Sequence, residues 1–472
     1  EMSIEHPTAK MIVEVAKTQE NEVGDGTTTA VILAGELLKN AENLLDKNIH
    51  PTVITKGFRL AADKAQELLL KLAEDVDVDD EDVLNKIAMT AMTGKGAENA
   101  KEKLAELCVR AVKNVIEDGE VDLDDIKIEK KVGDGIENSE LIDGVVLDKE
   151  KVHSGMPRKI ENAKIALLDV AVEIKSTEID AKIEIDDPSK LQGFLDQEER
   201  MINAMVDKIV KSGANVVICQ KGIDDVAQYL LAEEGIYAIR RVKESDMGRL
   251  AKATGGKVVS NLNALKADKL GSAGKVEEIK IGDDEMTYIS ECENPKAVTL
   301  LVKGGTKHVV DEVERAVTDA LGDIVASLKV GKVVGGAGAI EVEVARGLRE
   351  YSNKLSGREQ LAVLAFADAV EVIPRTLAEN AGLDPIDVLT ELKASHDSGK
   401  KWAGIDVFSG KVQDSWNNGV IEPLKIKTQA IKSASEVAEL ILRIDDIIAA
   451  GGNSKTRMPP MPHGGMEGME GY

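Results

Sequence analysis

From Asp25 to about Asp46, the apolar residues Ala30, Val31, Ala34, Leu37, Leu38, Ala41, Leu44 and Leu45 recur at helical spacing with charges opposite, which predicts a long amphipathic helix. A second helix is predicted over about 53–72, and 81–116 continues helical with breaks near Gly94 and Gly96. After Ile128 the pattern changes. Gly133, Gly135 and Gly144 punctuate short Val/Ile runs, and 164–174, 215–219, 237–242 and 298–302 read as strands. Helical stretches at 191–211 and 224–232 between them give an alternating βαβ-like pattern. Beyond Val302 helical periodicity returns through 309–327, 339–355, 357–381 and 428–450. The expected architecture is an α/β domain over about 144–296, inserted into a mainly helical domain whose two halves pack together. The Gly- and Met-rich tail, 451–472, is expected to be disordered.

Composition sets the class and removes several partners. At 472 residues with 43% apolar side chains, the size prior is about three domains. Sixty basic against 85 acidic side chains give a formal charge of −25, a field that repels phosphate backbones and anionic membrane surfaces. Only 2% of residues are aromatic, so stacking platforms for single strands are scarce. Neither nucleic acid nor membrane is an expected partner, and no apolar stretch approaches the length of a membrane span. Cys108, Cys219 and Cys292 are odd in number and far apart, which suggests neither a disulfide framework nor a zinc site and fits reduced thiols in a cytoplasm.

The most informative local sequence is Glu22-Val23-Gly24-Asp25-Gly26-Thr27-Thr28-Thr29, directly before the first predicted helix. Free backbone N–H groups and the helix dipole there favour a phosphate, the hydroxyls can donate to its oxygens, and Asp25 could hold Mg²⁺. An ordinary capped turn gives the same local pattern. A second cluster, Gly335-Gly336-Ala337-Gly338-Ala339, again opens a helix and is either a ligand approach or a flexible turn.

Three stretches carry a resemblance: the Gly24–Thr29 motif, Pro374-Arg375-Thr376-Leu377-Ala378-Glu379-Asn380-Ala381-Gly382-Leu383, and Lys427-Thr428-Gln429-Ala430-Ile431. In type, order and spacing they resemble archaeal group II chaperonins of the thermosome kind, and the likeness covers essentially the whole chain. It implies a multidomain α and α/β fold. A discontinuous, mainly helical equatorial ATPase domain would occupy 1–78 and 335–450, and a small intermediate domain 79–143 and 297–334. The inserted α/β apical domain would occupy 144–296, with a helical lid protrusion at about 174–208. ATP and Mg²⁺ are the implied cofactors. Asp25 would coordinate the metal, Gly26, Thr27, Thr28 and Thr29 would hold phosphates, Gly336 and Gly338 would approach the nucleotide, and Glu422 would sit near the ribose or adenine.

The resemblance makes Asp319 the carboxylate that positions or deprotonates the attacking water; nothing in its local sequence distinguishes it. Thr93 and Lys95 match a nucleotide-sensing loop, the lysine approaching the γ-phosphate. Phe194, Leu195, Met201, Ile202 and Met205 are the apolar candidates for client binding, and at helical spacing they serve equally as core. Implied partners are unfolded proteins and identical or homologous subunits in a double ring.

Two departures stand out. The family's upstream phosphate loop and edge strand do not occur in the sequence, which suggests a missing N-terminal segment and admits a passive holdase or an inactive fragment as the alternative. A small-molecule phosphotransferase would use the same acids but needs an acceptor site, for which no motif is visible. Ala337 stands where the family usually has the middle glycine of a triple.

Overall fold

Prolines and glycines set the first helix boundaries. The computed structural model describes residues 4, 6–174, 188–281 and 284–445, with 188–195, 281 and 284 as backbone only. Pro7, following extended His6, opens α1 (Pro7–Val23), and Gly24 ends it in the left-handed conformation at φ 89°. Next come α2 (Thr27–Asp46) and α3 (Pro51–Leu72), the latter begun by Pro51 with the His50 ring accepting from the Thr52 N–H at 3.3 Å. Strand β1 (Glu74–Asp75) precedes α4 (Glu81–Met92) and α5 (Lys101–Val115), followed by β2 (Ile126–Val132), β3 (Glu140–Ile142), β4 (Val145–Leu147) and β5 (Lys159–Leu168). The chain continues through α6 (Pro188–Ser212), β6 (Val216–Cys219), α7 (Asp225–Glu233), β7 (Tyr237–Ile239), α8 (Glu244–Thr254), β8 (Gly271–Ile281) and β9 (Asp284–Ser290). Then β10 (Val298–Gly304) leads into α9 (Lys307–Val330), β11 (Lys332–Gly335), α10 (Ala339–Ser352), α11 (Glu359–Val370) and α12 (Val372–Asn380). The last described elements are α13 (Pro385–Asp397), β12 (Ala403–Asp406), β13 (Lys411–Asp414), β14 (Ile421–Pro423) and α14 (Leu424–Ile441).

These elements gather around separate cores. The apolar faces of α2 and α3 meet those of α10, α11 and α14 across Leu37, Phe58, Leu69, Leu348, Phe366 and Ala434, so early and late parts of the chain build one helical body. Phe58 and Phe366 meet edge to face there, with ring centroids 5.7 Å apart. A second core packs α4, α5 and α9 on β2 and β10. In that sheet β10 lies between a parallel β2 and an antiparallel β3. The third body is a six-stranded sheet, β4-β9-β8-β5-β6-β7, with a buried apolar layer on each face. A small antiparallel sheet, β1-β11-β14, ties segments near residues 74, 333 and 422 together below the first core.

The architecture is the expected multidomain α and α/β one, and it differs in detail. Within the six-stranded sheet only β5, β6 and β7 pair in parallel; β4, β9 and β8 complete it antiparallel. Strand β8 carries Lys275, Glu277 and Lys280 among its apolar residues, so it lacks the apolar run that marks a buried strand. The predicted helix 357–381 divides at Glu371 into α11 and α12, because Pro374 has no N–H to offer the Val370 carbonyl. The expected lid protrusion falls largely on 175–187 and the expected tail on 451–472, both outside the described residues.

Candidate functional site

Two left-handed glycines bend the chain around Asp25. Gly24 donates to the Glu20 carbonyl at 2.9 Å, closing α1, and Gly26 at φ 79° precedes α2. The buried amide of Gln19 fixes the turn by donating to the Asp25 carbonyl at 2.9 Å and to the Ile426 carbonyl at 3.2 Å. A Cβ at Gly26 would lie 2.6 Å from Ile426 Cγ2, so the close approach excludes any side chain. No side chain caps α2, which leaves the N–H groups of Thr27, Thr28 and Thr29 directed out of the first turn, where the helix field favours an anion.

Helix α9 brings acids to this turn. Asp319 binds Lys95, the ammonium lying 2.5 Å from Oδ2, with both side chains largely covered. Burial raises the Asp319 carboxyl above the ordinary aspartate range; Lys95 pulls it down and the charge of Asp25 pushes it further up. Lys95 follows the end of α4, where Gly94 at φ 78° donates to Glu98 Oε1 at 2.7 Å. Thr93 donates its hydroxyl to the Met89 carbonyl at 2.8 Å and lines a cleft of about 680 Å³.

Ala337, Leu377, Ile405, Phe408 and Glu422 line the same cleft. Strand β11 pairs with β14 so that Val334 faces Glu422 and Gly335 faces Ile421, and the Gly336 N–H donates to the Val420 carbonyl at 2.9 Å. A Cβ on Gly336 would stand 2.3 Å from Glu422 Oε1, and one on Gly338 would stand 2.8 Å from Pro374 Cβ. Ala337, the non-glycine of the cluster, adopts φ 58° and accepts a hydrogen bond from the Ile405 N–H at 2.9 Å.

Asp323 is a member the sequence reading lacked. One turn beyond Asp319 on the same face of α9, it is 3% exposed, and its Oδ1 has no hydrogen-bond partner among the described residues. Burial lifts its carboxyl well above the ordinary range, with Asp25, Glu422 and Asp319 adding to the rise and Lys95 opposing it. The signal was present: Ala316, Ala320 and Ser327 share its helical stripe and are all buried, so an acid at 323 was bound to point inward.

Of the client-binding candidates, Ile202 is 3% exposed and belongs to the core beneath α6, and Met205 packs against that core. Met201 is 43% exposed, while the side chains of Phe194 and Leu195 lie outside the described residues. On neighbouring α7, Val226 and Tyr229 are 44% and 52% exposed.

The fold is that of a chaperonin. The structure resembles that of an open-state monomer of a group II chaperonin from Methanococcoides burtonii, with a TM-score of 0.66 and 50% identity over 89% of this chain and all of that one. The model of the TCP-1/cpn60 chaperonin family matches residues 1–452. The chain is 61% identical to thermosome subunit beta of Archaeoglobus fulgidus, over 98% of this chain and 87% of that protein. It is 61% identical to a thermosome subunit of Methanopyrus kandleri over 95% and 83%, and 55% identical to thermosome subunit alpha of Thermoplasma acidophilum over 100% and 86%. The chain belongs to the TCP-1/cpn60 chaperonin family. Protein folding is therefore its general role, and no helix among its described residues is long and apolar enough to cross a membrane.

Proposed function

We propose that this chain is an ATP-driven folding subunit that hydrolyses Mg-ATP at the Asp25–Asp319 cleft. The observation that carries the reading is convergence: Asp25, Lys95, Asp319 and Glu422 come from four distant segments and lie close enough for all of their charges to act on Asp323, and Glu422 also lines the cleft. The residues fit the group. Asp25 would hold Mg²⁺, which neutralises phosphate charge when bound, and the N–H groups of Gly26, Thr27, Thr28 and Thr29 would receive phosphate oxygens. Gly336 lets Glu422 pack against the backbone of the glycine cluster, Gly338 does the same for Pro374, and Glu422 would present a carboxylate to the sugar. Asp319 would accept the proton of the attacking water once Lys95 turns from it toward the terminal phosphate, and Thr93 anchors that loop.

The domain division at 1–78, 79–143, 144–296, 297–334 and 335–450 belongs to this reading. So do a double ring of identical or homologous subunits, a cytoplasmic setting, and client capture at the sheet's helical face. Met201, Val226 and Tyr229 are exposed there. Nucleotide binding and hydrolysis would shift the ring between open and closed states around the captured client.

Mg²⁺-ATP turnover by the purified chain, measured beside an Asp319→Ala variant with particle size by light scattering, tests it. A ring-sized particle whose turnover is lost in the variant while its size is kept supports the reading. A monomer without turnover overturns it and leaves a nucleotide-independent client binder.

A further inference from the structure

Glu422 does not stand alone in the cleft. Its Oε2 lies 2.6 Å from the Lys427 ammonium, which lies 2.9 Å from Glu341 Oε1 on its other side. Lys427 and Glu341 are each 6% exposed, so this cation sits inside the protein between two acids. Burial opposes the charge on Lys427, but Glu341 and Glu422 outweigh it and hold the ammonium protonated. Glu341 occupies the first turn of α10, where the helix dipole favours a carboxylate, and Lys427 is its charge partner. Lys427 thus pairs with both acids, and Glu422 is the closer of the two. The remaining oxygen of Glu422, Oε1, is turned toward Gly336, and the side chain as a whole lines the cleft and keeps 21% exposure.

We propose that Lys427, backed by Glu341, is a positioning residue that holds the Glu422 carboxylate with one oxygen clamped and the other presented to the cleft as the acceptor for a ribose diol. Lys427 sits on the side of Glu422 away from Gly336 and does not need to touch the ligand. A carboxylate fixed in this way selects for ribonucleotides, because a sugar without hydroxyls leaves a desolvated acceptor unpaired. The inference rests on the reading of this cleft as a nucleotide site, and it adds a source of discrimination that contacts to phosphate cannot supply.

Titration calorimetry with Mg-ADP and with Mg-2′,3′-dideoxy-ADP tests it on the assembled protein. The wild type is expected to bind ADP at least about tenfold more tightly than the dideoxy nucleotide, the lower range for loss of a hydrogen-bonded hydroxyl. Lys427→Met is expected to reduce that ratio to below about threefold while phosphate-dominated affinity for the dideoxy nucleotide changes little. Glu341→Gln/Lys427→Met, which keeps the net charge of the cluster, removes the clamp without leaving two facing acids and should show the same collapse. A purely structural lysine would weaken both nucleotides alike. An unchanged ratio in the variants, or a wild type that binds both nucleotides equally, overturns the inference and leaves the nucleotide site standing. A wild type that binds neither overturns the nucleotide reading itself.

Discussion

Lys95 and Asp319 are 224 positions apart and meet through an ammonium–carboxylate contact of 2.5 Å. The two charges neutralise each other, so under the proposed mechanism a phosphate that drew Lys95 away would also uncover the acid. Asp319→Ala is expected to lower ATP turnover by about 10²- to 10⁴-fold, the range for loss of a general base. Particle size should be unchanged.

The same contact has a pH signature. In the proposed mechanism Asp319 would work as a base only when ionised, and burial already raises its carboxyl, with Lys95 pulling in the opposite direction. In Lys95→Met that pull is gone, so the acid limb of the turnover profile should move to higher pH. Rates measured from about pH 5 to 9 check it; a limb that stays in place would mean that another group titrates.

Asp323 is expected to be a liability for stability. Its folded carboxyl holds a proton more tightly than the unfolded one, so stability is greatest below the unfolded value and is lost as pH rises through the folded value. Asp323→Asn removes that loss and should stabilise the protein by on the order of 1 kcal/mol at about pH 8, with the gain vanishing near pH 4. Urea unfolding at the two pH values measures the difference. Equal gains at both would assign the effect to packing.

The glycine turn separates strain from crowding. Gly24→Ala meets open space and carries only the left-handed penalty, about 1–2 kcal/mol, whereas Gly26→Ala adds the 2.6 Å approach to Ile426 and should lose about 2–4 kcal/mol in all. Thermal unfolding of both variants gives the comparison.

Ala337 offers the converse. At φ 58° its side chain strains the backbone, so Ala337→Gly should stabilise the protein by about 0.5–1 kcal/mol, the left-handed penalty less the extra freedom of glycine when unfolded. A neutral or destabilising result in denaturant unfolding would show that the methyl makes compensating contacts, among them the one facing Gly404, whose own added Cβ would lie 3.0 Å away.

Strong helical periodicity made α2, α3, α6 and α9 legible, and the Gly24–Thr29 motif and the late glycine cluster each marked a tight turn that opens a helix. Helix α1 was not read, because its buried positions, Val15, Gln19 and Val23, include an amide that serves the Asp25 turn. Strands β8 and β9 escaped because charged residues interrupt their apolar positions. Asp319 was found only through resemblance, and Asp323 was missed, since the chemistry of each depends on a neighbour contributed by another part of the chain. Lys427 was noticed as part of a signature, but its place between Glu341 and Glu422 depends on β11 pairing with β14.

That pairing also orders events at the ribosome. Asp25 and Glu422 are about 400 positions apart, which at about 5–20 residues per second separates their synthesis by roughly 20–80 s. Throughout that interval α2 and α3 have only part of their core, for α10, α11 and α14 have yet to emerge. The six-stranded sheet between residues 145 and 290 is complete much earlier and can fold while the helical body waits. A nascent chain of this protein thus carries a finished inner domain on unfinished supports, and it is itself in need of protection until the last helix arrives.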